Sequence, residues 1–180
     1  APTNLYDVAT AQLGVPPSDN VNSEATGNRL YWTAAPIAVK AGDVVTFGPM
    51  LSGQGYFITT YDENGAVKIA KVTYADCTVV DVVDNNAVIV KWTVPEGNAY
   101  VRVVNSQIFK ESTMITLNQE FTAADYFAEM DKKGINVDYV RPTTAKELVN
   151  VFPTSDKTFL GRCDKSKGEV AADNYRTCDY

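Results

Sequence analysis

The side chains that could do chemistry in this sequence are acidic, aromatic and guanidinium groups, because the chain contains no histidine. This excludes Ser-His-Asp and Cys-His nucleophiles, histidine zinc ligands and a histidine general base. The three cysteines are spread along the chain without metal-ligand spacing. Gly53-Gln54-Gly55 is too short for a phosphate-binding fingerprint, and we interpret it as a turn. We predict no cofactor and no metal.

Acidic residues beside turns are the remaining candidates for catalysis. Asp62 and Glu63 flank one predicted turn, and Asp81 and Asp84 flank another. Two carboxyl groups about 5 to 10 Å apart could hydrolyse a glycosidic bond, and such loops could also ligate Ca²⁺, although no EF-hand pattern is present. Acidic residues also occur in turns because they hydrogen-bond the local backbone. We favour this structural explanation and predict that the protein is not an enzyme.

Aromatic residues and one arginine form the stronger candidate binding site. Tyr100 and Arg102 alternate with aliphatic residues, which places both on the outer face of a strand. Tyr31 and Trp32 follow a polar loop, and Tyr56 begins another strand. These rings could stack on the C–H face of a sugar whose hydroxyls bind Arg102, or they could complete the core or a subunit interface. The five residues are the predicted ligand contacts.

Short strands separated by turns in residues 1–117 must position these side chains. Turn chemistry is present at residues 40–43, 62–65 and 84–86. Trp92 alternates in phase with three valines, which predicts a core position. Many short strands without helical periodicity predict a mainly β fold, an antiparallel sandwich or barrel, of which we favour a jelly-roll-like β-sandwich. The predicted strands are 37–39, 43–47, 56–61, 67–72, 78–83, 87–94, 99–104 and 113–117.

We predict that residues 118–180 form a short helical and irregular segment that serves as a linker or docking element. A helix is predicted over residues 121–133, with Thr122 as its N-cap and Gly134 as its stop. A capping-box pattern at residues 144–147 predicts a second short helix that ends before residue 153. Cys163 and Cys178 could form a disulfide, but their spacing alone leaves the pairing open.

Composition narrows the class of protein. The chain is 45% hydrophobic and 21% charged, as expected for a soluble globular protein, and its net charge of −6 argues against a nucleic-acid partner. No apolar run approaches the roughly 20 residues of a membrane helix. The start at Ala1-Pro2 leads us to expect a fragment of a longer protein.

A series of short motifs resembles a known module. Asn4-Leu5-Tyr6, "IAVKAGDVVTF" (37–47), "YFITTYDENGAV" (56–67) and "WTVPEGNAYVRVV" (92–104) occur in order. Together they resemble the lectin-like jelly-roll module of bacteriophage tail fibres and tailspikes. The resemblance covers about residues 4–105 and implies a virion component that meets other tail proteins, often in a homotrimer. A host-surface glycan ligand is implied more weakly, with Tyr100 and Arg102 matching the recurring outer-face pair.

Three functions remain as hypotheses. The first is a non-catalytic module that recognises a host-surface glycan. The second is a structural module that attaches a receptor-binding protein to the virion or to a sister fibre, which the helix-bearing tail favours. The third, ranked last, is a fragment of a polysaccharide-degrading enzyme that uses two turn carboxylates.

Overall fold

The computed structural model describes residues 1–84, 86–137, 163–164 and 169–170. The chain divides into two compact units, Ala1–Pro142 and Thr143–Tyr180. Within the second unit, the described residues form an antiparallel pair of short strands, β11 (Cys163–Asp164) and β12 (Glu169–Val170). The predicted second helix, the turn at residue 85 and the Cys163–Cys178 pairing lie outside the described residues.

The first unit is an antiparallel β-sandwich, as the sequence predicts. Its six-stranded sheet has the order β1-β2-β9-β5-β6, with β3 also paired to β9, and its four-stranded sheet has the order β10-β4-β8-β7. The strands are β1 Gln12–Leu13, β2 Tyr31–Thr33, β3 Ile37–Ala38, β4 Val44–Leu51, β5 Ile58–Tyr61, β6 Val67–Val72, β7 Thr78–Asp84, β8 Ala87–Thr93, β9 Tyr100–Ser106 and β10 Met114–Leu117.

The main core lies between the two sheets. Alternate residues of each strand point inward, as the side-chain period of a strand requires. Trp92 packs in this core with Val88 and Val90 from the same strand, so the prediction for Trp92 is confirmed. Phe47 and Phe57 meet edge-to-face across the interior, with ring centroids 6.0 Å apart. This packing fixes which face of each strand remains for other contacts.

A helix covers the outer face of the four-stranded sheet. The helix, α1 (Ala123–Lys133), has Thr122 as its N-cap and ends at Gly134, whose φ of 68° suits glycine. Both boundary predictions are confirmed. Tyr126 and Met130 pack against residues of β7, β8 and β10 in a second core. The helix therefore belongs to the sandwich unit, which extends beyond the predicted boundary at residue 117.

The N-terminal part of the chain covers the outer face of the six-stranded sheet. We call residues 12–28 the covering segment. It is held by β1–β2 pairing, by a bridge between Val15 and Thr26, and by a bridge from Asn20 to Ala66 beyond β5. The Tyr61 hydroxyl donates to the Pro17 carbonyl at 2.7 Å. The outer face that the sequence predicts to be exposed around Arg102 is therefore buried.

The turns between strands have the predicted chemistry. In the turn at residues 40–43, the Asp43 N–H donates to the Lys40 carbonyl at 3.1 Å. In the turn at residues 62–65, the Gly65 N–H donates to the Asp62 carbonyl at 3.0 Å, and Gly65 adopts a φ of 82°. Each turn reverses the chain between two strands, so its residues have a structural role.

Candidate functional site

A groove at one end of the sandwich is the candidate functional site. Four chain segments form it: the start of β2, the β4–β5 loop, the β7–β8 turn and the connection from β9 to β10. Its volume of about 820 Å³ falls within the range of about 300–1,000 Å³ typical of small-molecule sites. The described lining residues are Leu30, Tyr31, Leu51, Ser52, Gly53, Gln54, Asn86, Ser106, Gln107 and Ile108.

Backbone hydrogen bonds tie the four segments together. The Ser52 N–H donates to the Asn86 carbonyl at 3.0 Å, which joins the β4–β5 loop to the β7–β8 turn. The Gln107 N–H donates to the Leu30 carbonyl at 2.8 Å, which joins the other two segments. These bonds fix the groove walls to the sheets, so the shape of the site is formed by the fold itself.

Hydrogen bonds fix the orientation of the Gln54 side chain beside the groove. Its Nε2 donates to the carbonyls of Tyr56 and Val104, both at 2.9 Å, so both amide hydrogens are used. The Oε1 atom is buried and has no hydrogen-bond partner among the described residues. Because this oxygen is fully enclosed, it is not presented to a ligand in the groove.

Tyr31 provides an aromatic ring at the groove wall. It lies opposite Ser106 in the β2–β9 register, and both residues line the groove. Tyr56 lies next to this wall: its pKa is raised by burial and, to a smaller extent, by the nearby Tyr31 phenol. The Lys71 Nζ atom is 5.4 Å from the centroid of the Tyr56 ring. Two of the predicted aromatic residues are thus neighbours at this end of the sandwich.

The lining combines amide groups with aliphatic walls. Gln54, Asn86 and Gln107 carry amides, and none of the described lining side chains is charged. Leu30 and Ile108, which are 67% and 56% exposed, contribute apolar surface to the groove. An aromatic ring, amides and aliphatic groups around one cavity suit an uncharged ligand with both hydroxyl and C–H surfaces.

The predicted ligand contacts do not form one cluster. Tyr31 lines the groove and Tyr56 lies beside it. Trp32, the neighbour of Tyr31, is half-buried with the Lys110 Nζ atom 4.0 Å from its ring centroid. Tyr100 is half-buried at the opposite end of β9, where it faces Tyr61 in the register. Tyr100 therefore lies away from the groove.

Arg102 is buried and hydrogen-bonded within the fold. The prediction that it is exposed on an outer face is wrong. The residue is 2% exposed beneath the covering segment. Its Nε donates to the Ala34 carbonyl at 3.0 Å, and its Nη2 donates to the Gln12 Oε1 atom at 3.0 Å. Its Nη1 donates to the carbonyls of Val21 and Ser23 at 3.3 and 2.9 Å. Burial lowers the pKa of Arg102, and the four bonds use four of the five N–H donors of its guanidinium.

The acidic residues considered for catalysis include two with clear backbone roles. Asp62 accepts hydrogen bonds from the N–H groups of Asn64 and Ala66 and shapes its turn. Asp81 accepts a hydrogen bond from the Ala123 N–H at the start of α1, at 2.8 Å. The described residues contain no cluster of three or more potential metal ligands. Burial raises the pKa of the Cys77 thiol to about 12, which keeps it protonated at neutral pH.

Sequence reasoning missed most of the groove. The sequence predicts only a turn at Gln54, and the aliphatic residues Leu30, Leu51 and Ile108 carry no binding signal. An amide flanked by two glycines between predicted strands is a weak signal that could have marked the β4–β5 loop. The hydrogen bond from its Nε2 to the Val104 carbonyl joins residues 50 positions apart, which no local pattern indicates.

Comparisons of the chain with protein-family models, curated proteins and solved structures gave no significant match. The resemblance to phage tail-fibre modules therefore stays a prediction. Over the residues that the structure describes, no helix has the length and apolar character needed to cross a membrane.

Proposed function

We propose that the sandwich unit is a non-catalytic module that binds a carbohydrate in the end groove. The observation that carries this proposal is the groove lining: one aromatic ring, three amides and aliphatic walls, without a charged side chain among the described lining residues. A pyranose ring presents an apolar C–H face to an aromatic ring and hydroxyl groups to amides. The Tyr31 ring and the lining amides of Asn86 and Gln107 offer the two kinds of contact.

The sequence resemblance extends this proposal to a biological setting. Modules of phage tail fibres and tailspikes meet the host surface, so the proposed ligand is a host-surface glycan and the proposed location is the virion. Other tail proteins are the proposed neighbours. This part rests on the ordered motifs of residues 4–105, whereas the binding proposal rests on the groove.

A glycan array followed by calorimetric titration tests the binding proposal. Tyr31→Ala should weaken binding of an array-positive glycan about tenfold, equivalent to about 1.4 kcal/mol, because a stacking surface is lost. Tyr100→Ala is the matched control. It removes a tyrosine ring from the other end of β9, away from the groove, and should leave affinity unchanged. A flat array with protein that circular dichroism shows to be folded would remove the carbohydrate proposal.

Attachment to another tail protein is the second candidate function. The exposed aliphatic side chains of Leu30 and Ile108 favour it, because adjoining apolar groups on a surface also mark protein interfaces. Light scattering should then give the mass of a homotrimer or a complex with another tail protein, and Leu30→Ser with Ile108→Ser should dissociate it. A wild-type chain that remains monomeric and captures no tail protein would contradict attachment through this end.

A further inference from the structure

We infer that one edge of the sandwich unit is a binding surface for a second copy of the chain. The edge consists of β6 (Val67–Val72), the last strand of the six-stranded sheet, and β7 (Thr78–Asp84), the last strand of the four-stranded sheet. We call these two strands the β6/β7 edge. The inference goes beyond the proposed carbohydrate function and does not depend on it.

Each strand of the β6/β7 edge has one neighbouring strand among the described residues. β6 pairs with β5, and β7 pairs with β8. A bridge between Ala66, just before β6, and Asn20 of the covering segment marks where the pairing on the other side of β6 stops. The backbone N–H and C=O groups along the outer side of each strand are therefore available to a further strand.

Two valines of β7 face the interior of the sandwich but are not covered by the opposite sheet. Val79 lies opposite Val90 in the β7–β8 register, and Val82 lies opposite Val88. Opposite residues of an antiparallel pair share a face. Val88 and Val90 belong to the core between the sheets and are 6% and 0% exposed, whereas the two valines of β7 are 57% and 39% exposed at positions 82 and 79. The six-stranded sheet therefore ends before it reaches β7.

This offset makes the β6/β7 edge complementary to itself. The four-stranded sheet projects by β7 at the place where the six-stranded sheet has no strand beyond β6. A two-fold axis parallel to the strands places β7 of the second copy beside β6, and β6 of the second copy beside β7. The strands have six and seven residues, so they can pair over nearly their whole length. Val79 and Val82 of the two copies then cover one another between the joined sheets.

The charges of the two strands favour pairing of β6 with β7. The charged residues of β6 are Lys68 and Lys71, and those of β7 are Asp81 and Asp84. Pairing of β6 with β7 of the second copy brings opposite charges together. Pairing of β6 with β6, or of β7 with β7, brings like charges together and is disfavoured. A second copy of the chain thus supplies the backbone, the apolar side chains and the charges that this edge requires.

Sedimentation of the full chain over a range of concentrations tests the inference. The wild type should form a reversible dimer. Val82→Asp should weaken dimerisation about a hundredfold or more, because it brings two carboxylates into the buried interface. Lys71→Glu should weaken it several-fold, because it removes the attraction to the acidic β7 of the second copy. Leu13→Asp and Lys40→Glu are the matched controls at exposed positions outside the edge, and both should leave the dimer unchanged.

Hydrogen exchange identifies the strands that pair. The amides of residues 67–72 and 78–84 should exchange more slowly in the dimer than in dilute, monomeric protein, and circular dichroism checks that each variant is folded. A dimer that Val82→Asp and Lys71→Glu leave intact, or one without this added protection, would overturn the inference. A full chain that stays monomeric at every concentration would also overturn it, including the case in which another segment of the chain protects these amides. If Leu30→Ser with Ile108→Ser dissociates a dimer that Val82→Asp leaves intact, the contact lies at the groove and the inference is again overturned.

Discussion

Arg102 links the covering segment to the six-stranded sheet through the hydrogen bonds of its guanidinium. Its guanidinium makes four hydrogen bonds, three of them to residues of the covering segment, and has no carboxylate partner among the described residues. A lysine at this position keeps the charge but cannot reach the same fork of acceptors. Buried carbonyls would then lose their partners, which costs about 1–3 kcal/mol for each unsatisfied group.

We predict that Arg102→Lys lowers the free energy of unfolding by about 2–4 kcal/mol and speeds hydrogen exchange in the covering segment. Urea denaturation and peptide-resolved hydrogen exchange measure the two effects. Arg29→Lys is the control, because Arg29 is exposed, and it should change stability by less than about 0.5 kcal/mol. Unchanged exchange in residues 15–26 of the Arg102 variant would show that the guanidinium does not hold the segment.

Strand alternation predicts the face of a residue but not what covers that face. The alternation placed Trp92 in the core, and the structure confirms it. The same logic placed Arg102 on the other face, where the covering segment unexpectedly buries it. That segment has no sustained periodicity, and its contacts with Arg102 join residues separated by 79 to 90 positions. Local patterns carry no information on contacts at such separations.

The sequence predicts the strands and the helix that have their own local hydrophobic and turn pattern. It does not predict the strands that form by pairing with a segment far away in the chain. All eight predicted strands occur, with ends that shift by a few residues. The described strands that the sequence does not predict are β1, β2, β11 and β12; each has only two or three residues, and β2 is set by its pairing with β9. The groove depends on this pairing, since Tyr31 belongs to β2. Its position was therefore beyond local prediction.

The attachment of α1 to the sandwich depends on a carboxylate at its N-terminus. Asp81 accepts the Ala123 N–H, one of the first-turn donors that lack a partner within the helix. Its negative charge also suits the positive end of the helix dipole. We predict that Asp81→Ala lowers the free energy of unfolding by about 1–2 kcal/mol in urea denaturation.

Glu63→Ala provides the control for Asp81. Glu63 is exposed in a turn, so its removal should change stability by less than about 0.5 kcal/mol. If the two variants are equally stable, Asp81 does not support the helix, and a catalytic role for its carboxylate deserves a renewed test. The same pair of variants thus separates the structural explanation of Asp81 from the enzymatic hypothesis.

The ionisable groups of the folded unit as a whole predict that its free energy of unfolding is highest at intermediate pH. A hydrogen bond from the Asn118 side chain lowers the pKa of Asp43, and hydrogen bonds from Thr122 lower that of Asp125. Their stabilisation is present above the unfolded pKa of about 3.9 and is lost as pH falls through the lowered folded values. Burial raises the pKa of Tyr61 to about 12, so its stabilisation is lost from about pH 10 upward.

We therefore predict that the thermal midpoint is nearly constant from about pH 6 to 8, where the chain has no histidine to titrate, and falls below about pH 4 and above about pH 10. Circular dichroism melting curves measure it. Asp43→Asn should flatten the acid side and Tyr61→Phe the alkaline side. An alkaline decline that Tyr61→Phe leaves unchanged would assign that limb to other groups.

The covering segment packs on the outer side of one sheet, and α1 packs on the outer side of the other. This arrangement predicts where the chain can be shortened. Ending it after residue 117 removes Phe121, Tyr126, Met130 and Val137, each at most 1% exposed. Burial of each contributes about 1.5–3 kcal/mol, and their sum rivals the total stability of about 5–15 kcal/mol of a typical domain.

Residues 1–142 should therefore fold with a cooperative thermal transition, and residues 1–117 should not, because the second core loses its helical half. Differential scanning calorimetry of the two truncated chains beside the full chain provides the measurement. A cooperative transition in residues 1–117 would contradict the role assigned to α1 and support a sandwich that ends at residue 117. If residues 1–142 also retain the groove, their glycan affinity should equal that of the full chain, since every described lining residue lies within them.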